Sequence, residues 1–76
     1  MSVIKINKEL IENEEIVFWL TNMLNNEIEE AKGAASNEHL FALGSDNDEA
    51  TQHERYSEMN LKYVAILEDA VKQLNE

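Results

Sequence analysis

The sequence predicts an all-α fold: a long antiparallel helical hairpin that dimerises into a four-helix bundle. The 76-residue chain is long enough for one domain, and it contains no proline and only two glycines, so few residues interrupt helices. In two long segments, apolar residues recur at three- and four-residue steps, which is the spacing of one helix face. Between these segments the stretch GSD, at residues 44–46, is typical of a turn.

The first helix is expected over residues 8–43, after a short apolar N-terminal arm at residues 1–7. Asn7 can cap it, because an asparagine side chain accepts a hydrogen bond from a free amide of the first turn. Asn13, which precedes two glutamates, is an alternative start. The apolar stripe of this helix consists of Val17, Leu20, Leu24, Ile28, Ala31 and Ala35.

Gly33 decides whether the first helix is continuous. Glycine inside a helix costs about 1 kcal/mol relative to alanine. A break at Gly33 would leave a short third helix over residues 37–43, capped by Ser36 or Asn37. We expect the continuous helix, with some loosening around the glycine.

The turn is expected to begin at Gly44, because glycine readily adopts the left-handed conformation that follows many helices. Asp46 and Glu49 have the spacing of a capping box, which starts the second helix near residue 47. This helix is expected over residues 47–75. The apolar stripe assigned to its core side consists of Tyr56, Met59, Tyr63, Ile66, Leu67, Ala70, Val71 and Leu74.

A turn at residues 44–45 sets the register of the two helices. Antiparallel neighbours then have residue numbers that sum to roughly 90. Ala31 and Ala35 lie opposite Met59 and Tyr56, and small residues facing large ones is the complementarity that a packed helix pair needs. The patterns of the two helices therefore support each other.

One partner helix cannot cover every apolar residue of the first helix. Phe18 and Trp19 lie about 100° and 200° around the helix from Val17, so a single seam leaves part of this turn in water. We therefore expect a homodimer. The expected interface residues are Ile16, Phe18, Trp19, Met23, Leu40 and Phe41.

The charge balance restricts the partners. The net charge is −10, from 16 acidic and 6 basic residues, which argues against direct binding to a nucleic-acid backbone or an anionic membrane. The longest apolar run, IVFWL, is far shorter than the roughly 20 residues of a membrane span. No secretory signal is visible in the sequence, so a cytoplasmic location is expected.

Catalytic and metal-binding motifs are scarce in the sequence. There is no cysteine, no Gly-rich phosphate loop and no nucleophile motif, so we expect no enzyme activity and no cofactor. The register brings His39 and His53 to the same level, and Glu49 lies one turn before His53. Two imidazoles and a carboxylate are a possible divalent-metal set. The Glu-x-x-His motif of carboxylate-bridged bundles is absent, however.

These observations favour a small acidic protein without catalytic activity that acts by protein–protein interaction. Its partner would be another protein, one option being a protein with a basic surface. An alternative is an acidic mimic of nucleic acid, of the phage or mobile-element type, that inhibits a nucleic-acid-binding protein. A third hypothesis is a small bundle metalloprotein that uses His39 and His53.

Overall fold

The computed structural model describes residues 2–76, so Met1 of the arm lies outside the described residues. A 3₁₀ helix over Lys8–Leu10 is followed by α1 over Glu14–Leu43 and α2 over Asn47–Leu74. The two long helices pack antiparallel as a hairpin measuring 51 × 22 × 14 Å, and residues 2–76 contain no strand. The predicted all-α hairpin is confirmed, while its pairing with a second copy stays a prediction.

The first long helix begins later than residue 8. The side chain of Asn7 accepts a hydrogen bond from the Glu9 amide at 3.1 Å, but it caps only the 3₁₀ turn. The backbone then becomes extended at Ile11. The cap of α1 is Asn13, whose side chain accepts from the Ile16 amide at 3.1 Å. The predicted start at residue 8 is therefore wrong, and the alternative start at Asn13 is correct.

α1 continues through Gly33 without a break, so a separate helix over 37–43 does not form. A Cβ added at Gly33 would meet no atom within 4 Å, because this position faces open space. The continuous 30-residue helix reflects good helix formers on both sides of the glycine and the packing of its buried alanines.

The turn differs from the prediction in the backbone conformation of Gly44. Gly44 has a φ of −100°, and no residue between 2 and 76 has a positive φ. The end of α1 is instead satisfied by Ser45, whose hydroxyl donates to the Phe41 carbonyl at 2.7 Å. The side chain of Asp46 accepts from the Glu49 amide at 3.0 Å. Asp46 is thus confirmed as the cap of α2, whereas the predicted left-handed conformation of Gly44 is wrong.

The seam between the helices follows alternating steps of three and four residues, as in an antiparallel coiled coil. All of its positions are buried or half-buried. On α1 they are Val17, Thr21, Leu24, Ile28, Ala31, Ala35, Glu38 and Ala42. On α2 they are Ala50, His53, Ser57, Asn60, Val64, Leu67, Val71 and Leu74. The Ser57 hydroxyl donates to the Ala35 carbonyl at 2.9 Å, which fixes a register close to the predicted one.

Part of the apolar stripe assigned to the core of α2 faces solvent instead. Tyr56, Met59 and Tyr63 are 42, 52 and 41% exposed, and Ser57 is buried in their place. The reason is the small residues of α1: at Ala35 the helices approach closely enough for a serine hydroxyl to bond the facing backbone. A tyrosine or methionine does not fit this gap, so α2 is rotated and turns its largest side chains outward.

The N-terminal arm packs against the C-terminal part of α2. The Gln73 amide donates to the Ile4 carbonyl at 2.8 Å and accepts from the Ile6 amide at 2.9 Å. It also donates to Asp69 at 2.9 Å. Hydrogen bonds from Ser2 and Gln73 hold the pKa of Asp69 below its usual value. The arm therefore adds a short layer at the end of the hairpin opposite the turn, which we name the open end.

Gly33→Ala should stabilise the protein by about 0.4–1 kcal/mol, because alanine restricts the unfolded chain and fits the helix without a clash. In a domain of this size, that corresponds to a rise in melting temperature of several degrees, at about 4–8 °C per kcal/mol. Thermal unfolding followed by circular dichroism at fixed protein concentration measures it. Gly33→Ser should raise the melting temperature by less, because serine is a poorer helix former than alanine. A melting temperature of Gly33→Ala below that of the wild type would contradict the continuous helix.

Candidate interaction surface

Large apolar side chains remain uncovered along one side of the hairpin. Each is between 41 and 59% exposed. We name this side the open face; its residues are Trp19, Met23, Phe41, Tyr56, Met59 and Tyr63. Single exposed apolar residues are common on proteins, but a contiguous group that spans two helices is typical of a binding surface.

A hydrogen bond between the helices marks the middle of the open face. The Tyr63 hydroxyl donates to the Glu27 carboxylate at 3.2 Å, so these two side chains lie on the same side of the hairpin. Met23 lies one turn before Glu27, and Met59 lies one turn before Tyr63. Residues four apart share a helix face, so both methionines flank this hydrogen bond. Trp19, one further turn along α1, extends the same row.

The open face continues toward the turn. The rings of Phe41 and His53 lie 5.7 Å apart between centroids and are inclined by 52°, which brings the Phe41 ring over the seam. Tyr56 follows His53 by three residues and lies on the same side of α2. Aromatic and methionine side chains therefore follow one another along most of the hairpin.

Charged side chains lie among and beside the apolar residues of the open face. On α1, Glu27 and Glu30 follow Met23 at four and seven residues, on the same side of the helix. On α2, Arg55 and Lys62 lie four residues before and three residues after Met59. The α1 side of the face is thus acidic, whereas on the α2 side Arg55 and Lys62 lie near the acidic residues Asp48, Glu58 and Asp69.

The predicted interface residues divide between different sides of α1. Trp19, Met23 and Phe41 belong to the open face, and Ile16 is half-buried on the same side. Phe18 and Leu40 are 63 and 60% exposed, but they lie about 100° or more around α1 from Met23. The α2 half of the face was missed, because its residues were assigned to the core. Their exposure follows from the close approach of the helices, which periodicity alone does not give.

The two histidines pair with glutamates rather than with each other. His39 Nδ1 lies 2.8 Å from Glu54 Oε1, and His53 Nδ1 lies 2.5 Å from Glu38 Oε2. Each pair joins α1 to α2 near the turn. Within residues 2–76, no three histidine, aspartate or glutamate side chains are placed to hold a metal ion. The structure therefore does not assemble His39, His53 and Glu49 into the metal site considered from the sequence.

We searched for relatives of this chain among family models, curated proteins and solved structures, and none of the three comparisons found a match. Neither α1 nor α2 has an apolar stretch long enough to cross a bilayer. The geometry of the hairpin surface is therefore the basis for assigning a function.

Tyr63 should titrate above the ordinary pKa of 10.0, because its hydrogen bond to the Glu27 carboxylate favours the neutral phenol. The stabilisation from this bond is present below the ordinary pKa and is lost as the pH rises through the higher folded value. In a Tyr56→Phe background, the ultraviolet absorbance of tyrosinate reports Tyr63 alone. Glu27→Gln should lower the measured pKa and Glu29→Gln should leave it nearly unchanged; equal values in all three proteins would contradict the bond.

Proposed function

We propose that this protein is a cytoplasmic protein without catalytic activity that acts by binding other proteins through its open face. The observation that supports the proposal is the amount of surface the hairpin leaves in water. Its accessible surface is 5875 Å². A folded monomer of 8.7 kDa is expected to expose about 4,700 Å².

The hairpin therefore exposes about 1,100 Å² more than a typical folded monomer of its mass. Its thickness explains the excess: one dimension is only 14 Å, close to the diameter of a single helix layer. A layer this thin buries one side of each helix at most. The excess, taken over the whole surface, is of the same order as the roughly 800 Å² that each partner buries in a standard interface.

The composition of the open face also favours protein binding. Tryptophan, tyrosine, phenylalanine and methionine are enriched in the centres of protein interfaces, where they fill pockets on the partner. Here they lie on both sides of the hydrogen bond between Tyr63 and the Glu27 carboxylate, so the face combines large apolar groups with a charged acceptor.

Affinity capture from a lysate of the source cells tests the proposal with a matched pair of variants. Met59 and Leu61 are 52 and 55% exposed on α2, but Leu61 lies about 160° around the helix from Met59. Wild type and Leu61→Lys should retain the same bound proteins, and Met59→Lys should lose them, because a buried lysine opposes the interface. Equal retention by Met59→Lys would contradict binding through this face.

A second candidate function, mimicry of nucleic acid, is favoured by the state of the acidic residues. In the described part of the chain, the one side-chain carboxylate within 4.0 Å of a lysine or arginine is that of Glu29, at 3.9 Å from Lys32. Most of the negative charge is therefore uncompensated and available to a basic protein. In the same capture experiment, mimicry predicts partners that dissociate as salt is raised and that Met59→Lys still retains.

A further inference from the structure

We propose that residues 2–10 form a strap that regulates access to the open face. The strap consists of the docked arm and the 3₁₀ helix, and it covers the part of α2 that continues the open face toward the open end. A partner protein gains this part of the face only when the strap moves away. The proposal rests on the proposed function, because it concerns binding at the same face, and it adds how that binding is controlled.

One row of α2 residues continues from the open face to the strap. Ile66 and Ala70 follow Tyr63 at three and seven residues, so they lie on the same side of α2 as Tyr63 and Met59. We name Tyr56 and these four residues the α2 row. Exposure along the row falls from 52% at Met59 and 41% at Tyr63 to half-buried at Ile66 and 1% at Ala70. The apolar surface is therefore continuous, and it becomes covered toward the open end.

The strap lies against the covered part of the α2 row. Ser2 and Val3 line one surface pocket together with Ile66 and Asp69. One turn further along α2, Gln73 binds the strap again through its two hydrogen bonds to the backbone of the arm. The strap therefore occupies surface that would otherwise extend the open face.

Met23 on α1 shows which half of the face the strap closes. The Glu27–Tyr63 hydrogen bond places residues whose numbers sum to 90 at the same level, so Met23 lies level with the segment between Ile66 and Ala70. Met23 is 54% exposed, whereas the α2 row at this height is covered. The strap thus leaves the α1 half of the face open at this level and closes the α2 half.

The length of the α2 row shows how much surface release of the strap would add. At a rise of about 1.5 Å per residue, the uncovered part from Tyr56 to Tyr63 spans about 10 Å. With the strap removed, the exposed row would reach Gln73 and span about 25 Å. A standard interface patch of roughly 800 Å² measures about 28 Å on a side. A partner of standard size that binds α2 therefore meets the strap.

The contacts that hold the strap are few and mostly polar. None of residues 2–10 is buried, and Val3 and Leu10 are 77 and 75% exposed. Besides the bonds to Gln73, the Lys8 ammonium donates to a main-chain oxygen of Glu76 at 2.7 Å. Such hydrogen bonds replace bonds to water and contribute little net free energy. A segment with so few buried apolar contacts opens more readily than the helices unfold.

Residues 11–13 connect the strap to α1 and act as its hinge. The backbone is extended at Ile11 and at Asn13, between the 3₁₀ helix and α1. The side chain of Asn13 caps α1 by bonding to the Ile16 amide, so the start of the helix does not depend on the strap. The strap can therefore leave the α2 row while α1 and α2 stay paired.

Trypsin digestion of the full chain tests how the strap is held. Gln73 accepts from the Ile6 amide, which belongs to the peptide bond after Lys5 that trypsin cleaves. Gln73→Ala should speed this cleavage about tenfold, because it removes both hydrogen bonds to the arm and raises the open population. Gln52→Ala, the same change at the other glutamine of α2, should cleave at the wild-type rate, and circular dichroism shows that each variant keeps its helices. Equal rates in all three proteins would overturn the strap.

Capture from the lysate then tests whether the strap limits partner binding. Val3 and Ala65 line the same pocket, and the chain has no cysteine, so a flexible bismaleimide can link Val3→Cys/Ala65→Cys and hold the strap closed. The linked protein should retain several-fold less partner than the same variant capped with N-ethylmaleimide. Gln73→Ala should retain several-fold more than wild type, because a strap that opens more often competes less with the partner.

The outcomes separate this proposal from the proposed function. Equal retention by the linked, capped and Gln73→Ala proteins would overturn regulation by the strap. Loss of the same bound proteins in Met59→Lys would still support binding through the open face in that case. If Met59→Lys also retains them, binding through this face is contradicted as well.

Discussion

The close approach of α1 and α2 along the half of the seam nearest the turn determines most of what the hairpin presents to water. Ala31, Ala35 and Ala42 are buried on α1, and the Ser57 hydroxyl bonds directly to the Ala35 carbonyl. Backbones this close leave no space for large side chains between them. The aromatic and methionine residues of α2 are consequently rotated out of the seam. The open face is thus a direct result of how tightly the helices pack.

The two halves of the seam have different roles. Toward the open end, Ile28, Val64 and Leu67 form an apolar core that drives association of the helices. Toward the turn, the seam contains the His53–Glu38 pair and the Ser57 hydrogen bond. Polar pairs of this kind contribute little net free energy, but a shift of register leaves them unsatisfied. The polar half therefore specifies the alignment of the two helices but buries little apolar surface. Contact with another protein would increase the apolar surface that is buried and so would stabilise the hairpin.

Patterns that are local in sequence predicted the fold well. They did not predict which side of α2 faces α1, because that depends on how closely the two helices approach. The absence of proline, the cap at Asp46 and the spacing around residues 44–46 were sufficient for the all-α hairpin and its register, although the first helix was predicted to start at residue 8 and starts after the alternative cap, Asn13. The rotation of α2 was missed because Tyr56 and Met59 are more hydrophobic than Ser57, and hydrophobicity alone assigns the larger residues to the core. Only the contact of Ser57 with Ala35, which is distant in sequence, places the serine in the seam instead.

The net charge of −10 also bears on which proteins could approach the hairpin. Two acidic chains repel each other at long range, and charges more than about 8 Å apart are largely screened at physiological ionic strength. Short-range contacts then decide the outcome. Apolar burial across the open face would supply the attraction, and a partner would also have to offer hydrogen-bond donors or basic groups to the Glu27 carboxylate within that face.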